Sequence, residues 1–328
     1  MKYLLTLLFI LILITAMRSQ DQTAVAQKGD GIHKLLNRND RSGTEMYSRF
    51  LELNKNLLKG KDFLIEGETY ILPNKSTDQS KKVGTFSIFG KKYQDVYSKG
   101  NELKGAIFYI VAGHGGPDPG AQGKRNGYTL NEDEYAYDIS LRLVRELISH
   151  GATAYMITRD ENDGIRDDAY LPNDKEETIW KSQKIPSNTN KKLRQRARAV
   201  NKLYKKNKGR YQRLIVIHID SRYEKQRVDI FAYYNSKSKN GKVFTANLIN
   251  TVEKKYKKYQ PARGFSGITR SRDNLYMLKY THPVTGFLEL GNIKNDLDQI
   301  RFIKYQNRQA IADWLTDGCI IDYKMSKK

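Results

Sequence analysis

The stretch Ala106-Ile107-Phe108-Tyr109-Ile110-Val111-Ala112-Gly113-His114-Gly115-Gly116-Pro117-Asp118-Pro119-Gly120-Ala121 decides the fold. Its opening run, 106–112, is short, uninterrupted and rich in β-branched and aromatic residues, the pattern of a strand buried on both faces. The glycine-rich turn behind it frees the backbone, so a histidine at the strand end can aim its imidazole into a cleft. Open α/β sheets bind ligands at the carboxyl ends of their strands. Two further apolar runs end in the same way, Ile217-His218-Ile219-Asp220 and Phe287-Leu288-Glu289-Leu290-Gly291-Asn292.

Strand patterns are predicted at 106–112, 153–158, 213–219, 228–234, 275–280 and 284–290, and helices at 132–149, 192–206, 241–257 and 296–316. Alternation of this kind predicts a layered α/β domain over 102–322, a twisted, mostly parallel sheet with flanking helices. Residues 160–190 fit neither pattern, and a loop of that length in a compact domain is usually functional or disordered.

Two histidines and a carboxylate at strand ends point to a hydrolytic zinc site, in which three protein ligands leave a position for water. His114 and His218 supply two ligands, and Glu132 and Glu134 compete to be the third. Asn131 precedes an amphipathic helix with Tyr135, Ile139, Leu143 and Leu147 on one face. With Asn131 as N-cap, Glu134 completes a capping box, which leaves Glu132 free to reach a metal. Glu289, at the end of the third run, is the carboxylate available to move a proton in such a site. Asp118, between two prolines, reads as a turn residue. His33, His150 and His282 have no such company.

At 328 residues the chain holds one sizeable domain and a small module. Residues 1–20 read as a signal peptide: Lys2 gives a charged start, and Leu4 to Thr15 is apolar but for Thr6 and the closing Thr15 and falls short of a bilayer span. Cleavage is expected within 16–26, placing the protein in the periplasm, the cell envelope or the medium, and an uncleaved anchor is the alternative. The formal charge of +22 favours an anionic partner. An acidic envelope polymer ranks ahead of nucleic acid, because no compact basic tail or zinc finger is present. The single cysteine, Cys319, reads as a buried small residue.

Residues 25–73 resemble the LysM module, a βααβ unit that binds N-acetylglucosamine-containing glycans. Lys28-Gly29-Asp30, Asn54 and the segment from Gly67 to Pro73 carry the match; Gly31 stands where the family has Thr or Ser. Residues 74–84 are polar and lysine-rich and read as a linker.

Residues 106–322 resemble the type-3 family of zinc-dependent N-acetylmuramoyl-L-alanine amidases. The family's Gly-His-Gly-Gly-x-Asp-Pro-Gly-Ala turn is matched residue for residue at 113–121. Glu132, Thr158-Arg159, Arg196 before Val200-Asn201, His218, and Glu289-Leu290-Gly291 with Asn295 follow in family order. The resemblance implies zinc held by His114, Glu132 and His218, Glu289 as the catalytic carboxylate, and peptidoglycan as substrate. Val216, Ile219, Asp220 and Asn292 depart from the pattern around the site, and 160–190 is an insert. A zinc peptidase acting on the stem peptide and a catalytically silent wall-binding protein are the competing readings.

Overall fold

The computed structural model describes residues 22–41, 44–61, 63–74 and 81–327. The expected signal peptide lies outside the described residues, as does most of the expected linker. Two compact units divide between Gln79 and Ser80.

In the first unit β1 (Thr23–Val25) pairs antiparallel with β2 (Thr69–Ile71), and between them run α1 (Ile32–Arg38), α2 (Thr44–Leu53) and the short α3 (Lys55–Leu58). Ile32, Leu35, Leu36, Phe50, Leu58, Tyr70 and Leu72 form its core. Buried Asn54 ties helix to strand: its amide donates to the carbonyls of Phe50 and Ile71 and its oxygen accepts from Ile71 N, each at 2.8 Å.

The second unit opens with the hairpin β3 (Lys82–Thr85) and β4 (Asp95–Tyr97). Next come β5 (Ile107–Ala112), the hairpin β6 (Gln122–Arg125) and β7 (Tyr128–Asn131), α4 (Glu132–Ser149) and β8 (Thr153–Met156). A small sheet of β9 (Thr158–Arg159), β10 (Thr178–Ile179) and β11 (Gln183–Lys184) follows, then α5 (Thr189–Lys206), β12 (Gln212–Asp220) and β13 (Ile230–Tyr234). The chain ends with α6 (Lys239–Tyr259), β14 (Gly267–Ser271), α7 (Tyr276–Tyr280), β15 (Val284–Asn292), α8 (Asp296–Ile303) and α9 (Tyr305–Ser326).

Six strands form the central sheet in the order β14-β13-β15-β12-β5-β8. Every neighbouring pair is parallel except β13 with β15. Strand side chains alternate between faces, and both faces are covered. On one, Phe108, Ile110, Ile215, Ile217 and Leu288 pack with Tyr135, Ile139, Phe244, Leu248 and Leu315 from α4, α6 and α9. On the other, Ile107, Tyr109, Leu214, Val216 and Phe287 meet Val200 and Leu203 of α5, together with Ile179 and Ile185. Each fully buried side chain of this kind contributes roughly 1.5–3 kcal/mol, which explains the unbroken apolar runs.

Several expectations need correction. Residues 276–280 form a helix, burying Met277 and Leu278, not a strand. The missed edge strand is β14, half-exposed and polar, with no apolar run to announce it. The helix expected over 296–316 is two, meeting at Lys304. The segment 160–190 is no free loop: it carries β10 and β11 and buries Ile165, Leu171, Ile179 and Ile185. The hairpin 82–97 buries Val96, with Phe89 between its strands, in the second unit's core, so folded chain begins before residue 102. Helix α4 is buried around nearly its whole circumference, so its charges need partners: Asp138 accepts from Arg142 at 2.8 Å and Arg308 at 2.6 Å. Cys319 is fully buried. Among the described residues no helix is long and apolar enough to cross a membrane.

Candidate active site

Parallel pairing brings the ends of β5, β12 and β15 together, because Ala112 is level with Ile217 and His218 is level with Glu289. His218, Phe287 and Glu289 therefore share one face, and the His218 ring stacks on Phe287 at 4.6 Å. A register shift between His218 and Asp220 ends the regular ladder just beyond the histidine.

The turn after β5 places His114 at φ 61°, in the left-handed region. Its ring lies 4.9 Å from that of His218, nearly perpendicular to it. Glycine is required twice. A Cβ on Gly113 would fall onto the His218 ring, and one on Gly120 would lie 2.7 Å from Glu132 Oε2 and 2.8 Å from the His114 ring.

Glu132 enters from the start of α4, buried to 3% exposure. Its Oε1 is 2.8 Å from His218 Nδ1 and its Oε2 is 3.2 Å from His114 Nε2. Ile219 N donates to Oε1 at 3.0 Å and Ala121 N to Oε2 at 2.8 Å, fixing the carboxylate in place. One ligand atom from each of His114, Glu132 and His218 lies within 4.8 Å of the others. Burial disfavours the charged carboxylate, yet the two histidines hold Glu132 well below the usual carboxylate range. Burial likewise opposes charge on His114, but hydrogen bonds to Asp118 and Glu132 lift it to about 9. His218 is pushed down, chiefly by desolvation. This donor set attracts a cation, and a metal ion would displace the proton that His114 otherwise holds.

Glu134 does not compete. Neither it nor Asn131 forms the expected capping box: Asn131 makes no side-chain cap and accepts instead from Gln122 at 2.6 Å. Glu134 turns toward the 160–190 segment, accepting from Arg166 at 2.9 Å and from Asp174 N at 3.0 Å. Glu289 is partly exposed, but its Oε2 is buried without a hydrogen-bond partner. Desolvation, then the charges of Glu132 and Asp220, push its carboxyl well above the ordinary value.

Sequence reasoning missed three supports. Asp118 is more than a turn residue: its Oδ2 lies 2.9 Å from His114 Nδ1 and also pairs with Lys192 of α5. Such a carboxylate fixes the tautomer and aims Nε2 toward the site. Glu177 accepts from Gly116 N at 2.7 Å, and buried Arg196 donates to the carbonyl of His114. Asp118 and Arg196 carried a signal, through the family pattern, and Glu177 carried none. The partners of Arg196 and Glu177 are remote in sequence, as is Lys192 from Asp118, whereas His114 stands four residues from Asp118. His150 pairs with Glu102, and His33, in the first unit, stacks on Tyr47.

An α/β sheet with two imidazoles and a carboxylate converging at its strand ends, beside an unpaired carboxyl, has the make-up of a hydrolase with a cation-binding group. Residues 108–320 match the family described as N-acetylmuramoyl-L-alanine amidase, and the chain belongs to that family. It is accordingly an enzyme of peptidoglycan hydrolysis. No curated protein matches the chain. Among solved structures, the CwlD amidase of Clostridioides difficile, determined in complex with the GerS lipoprotein, is 17% identical with a TM-score of 0.51; the match covers 68% of this chain and 100% of that one. The catalytic domain of CwlV from Bacillus (Paenibacillus) polymyxa var. colistinus is 18% identical, with a TM-score of 0.47 over 69% of this chain and 100% of that domain. Ami1 of Mycobacterium smegmatis is 18% identical, with a TM-score of 0.49 over 68% of this chain and 99% of Ami1. At this identity the CwlD match shows a shared fold.

Proposed function

We propose that the chain is an exported zinc amidase that hydrolyses the bond between the lactyl group of N-acetylmuramic acid and L-alanine of the stem peptide. The observation that carries this reading is the convergence of His114, Glu132 and His218 at the strand ends, with Glu289 beside them. The donors fit zinc: two imidazoles and one carboxylate, their carboxylate anchored by backbone N–H groups, in a cradle that a Cβ at Gly113 or Gly120 would fill.

His114, Glu132 and His218 would hold the ion. When bound it supplies Lewis acidity, polarising the scissile carbonyl and acidifying a water. Glu289 would take a proton from the attacking water and deliver it to the departing amine nitrogen, which is a poor leaving group unprotonated. Burial and the neighbouring charges of Glu132 and Asp220 raise its affinity for a proton, which suits the taking of that proton. Asp118 keeps the His114 ring in one orientation, and Arg196 and Glu177 hold the backbone of the turn.

Residues 25–73 would serve as a LysM-like glycan-binding module, and 102–322 as the catalytic domain. The excess of basic residues suits an anionic envelope. A groove just beyond the end of β12 is lined by Arg222, Lys225 and Lys294 together with Glu224. Digestion of purified sacculi with and without chelator, followed by mass spectrometry, tests the reading. An amidase releases stem peptides with a free L-alanine amine, only with metal present, and His218→Ala loses zinc and turnover together. Products that keep L-alanine on the sugar would instead identify a peptidase.

A further inference from the structure

Beside the His114–Glu132–His218 group lies a knot of carboxylates that hydrolysis does not use. Asp133 and Glu134 occupy the first turn of α4, and Glu177 comes from the 160–190 segment. All three are buried, and one carboxylate oxygen of each lies within 4.8 Å of the others. Glu177 belongs also to a second trio, with Asp160 and Asp174.

The partners within the chain are too few. Arg166 reaches Glu134 at 2.9 Å and is shared with Asp163. Glu177 accepts from Gly116 N, and Glu134 from Asp174 N. Asp133 is only 1% exposed: its Oδ1 accepts from Glu134 N at 2.9 Å, while its Oδ2 is buried with no partner at all. A buried carboxylate oxygen without a donor is costly, and one guanidinium does not neutralise three carboxylates.

We propose that Asp133, Glu134 and Glu177 form a second metal site, for a hard divalent cation of the calcium class. The donors are oxygen only, which suits calcium's flexible shell of carboxylates, carbonyls and waters. Zinc prefers imidazole and thiolate, so the two adjacent groups select different ions. The ion clasps the 160–190 segment to the start of α4. It also braces the catalytic turn, because Glu177 packs against Gly115 and holds Gly116, both next to His114.

The test uses the full chain loaded with zinc and dialysed free of calcium. Titration with CaCl2 in a calorimeter gives binding of one Ca2+ per chain, and the melting temperature rises with CaCl2. Asp133→Asn and Glu177→Gln each weaken Ca2+ binding by about tenfold or more, since each removes a charged ligand, and lose the calcium-dependent rise while keeping zinc. Without calcium both variants melt above the wild type, because a member of a repelling trio has been neutralised. Absence of saturable Ca2+ binding by the wild type at millimolar concentration overturns the proposal, whatever the variants do. Unchanged affinity in both variants, or loss of zinc together with calcium, overturns it as well. None of these readouts involves turnover, so they stand apart from the amidase assignment.

Discussion

Replacing Glu289 by Gln separates chemistry from binding and folding in one side chain. The amide has the shape of the carboxyl, so no cavity opens in the packing around β15. The change also removes a charge that desolvation and the neighbouring Glu132 and Asp220 disfavour, so the variant should melt at or above the wild-type temperature. Glu289 makes no bond to the His114–Glu132–His218 group, being level with His218 on the adjacent strand, so zinc content should stay at one per chain. What is lost is the proton carrier. General acid–base catalysis is worth about 10²–10⁴-fold, or roughly 3–5 kcal/mol of barrier, and a leaving amine that needs its own proton places the loss at the upper end. The assay is kcat on a defined muropeptide, followed by release of stem peptide, with zinc content and melting temperature measured on the same preparation. Wild-type kcat in Glu289→Gln would falsify the mechanism; reduced stability with near-normal kcat would make the residue structural.

Glu132→Ala should strip zinc, whereas Glu134→Ala should retain it and lose about 1–3 kcal/mol in urea denaturation, because Arg166 and Asp174 N lose their acceptor; metal content of the pair decides between them. Asp138→Asn leaves Arg142 and Arg308 as buried guanidiniums without their shared carboxylate. A loss of about 3–5 kcal/mol is expected, and an unchanged urea midpoint would contradict the packing argument for α4. Deleting residues 26–73 should weaken binding to intact sacculi and leave kcat/KM on a small soluble muropeptide nearly unchanged, since a second site raises local concentration without touching the chemistry. Equal sacculus binding by the truncated chain would assign the anchoring to the basic catalytic domain alone.

The candidate site was largely legible because its residues sit at the ends of strong local signals. His114, His218 and Glu289 each follow or end an apolar run, and a parallel sheet gathers such ends on one side. Glu132 was reached through a capping argument that the structure does not bear out: Asn131 bonds to Gln122, and Glu134 to Arg166. The choice rested on a local rule, whereas what places Glu132 between two histidines is the docking of α4 against β12. Asp118 was read as a turn residue although one partner, His114, stands four residues away in the same turn; its other partner, Lys192, lies on a helix that the turn's own sequence does not mention.

By itself, then, the sequence determined the strands and helices whose periodicity records how each element is buried, and the glycine turn whose backbone no other residue could follow. That was enough for an α/β class and a His-and-carboxylate site. Tertiary structure alone decided the strand order, the one antiparallel pairing of β13 with β15, and the half-exposed edge at β14. It also decided that the 160–190 segment folds onto the catalytic turn through Glu177. The physical reason is common to all of these. Side-chain burial is written locally in the period of the chain, but a hydrogen bond or ion pair between residues far apart in sequence exists only once two packed faces bring them together.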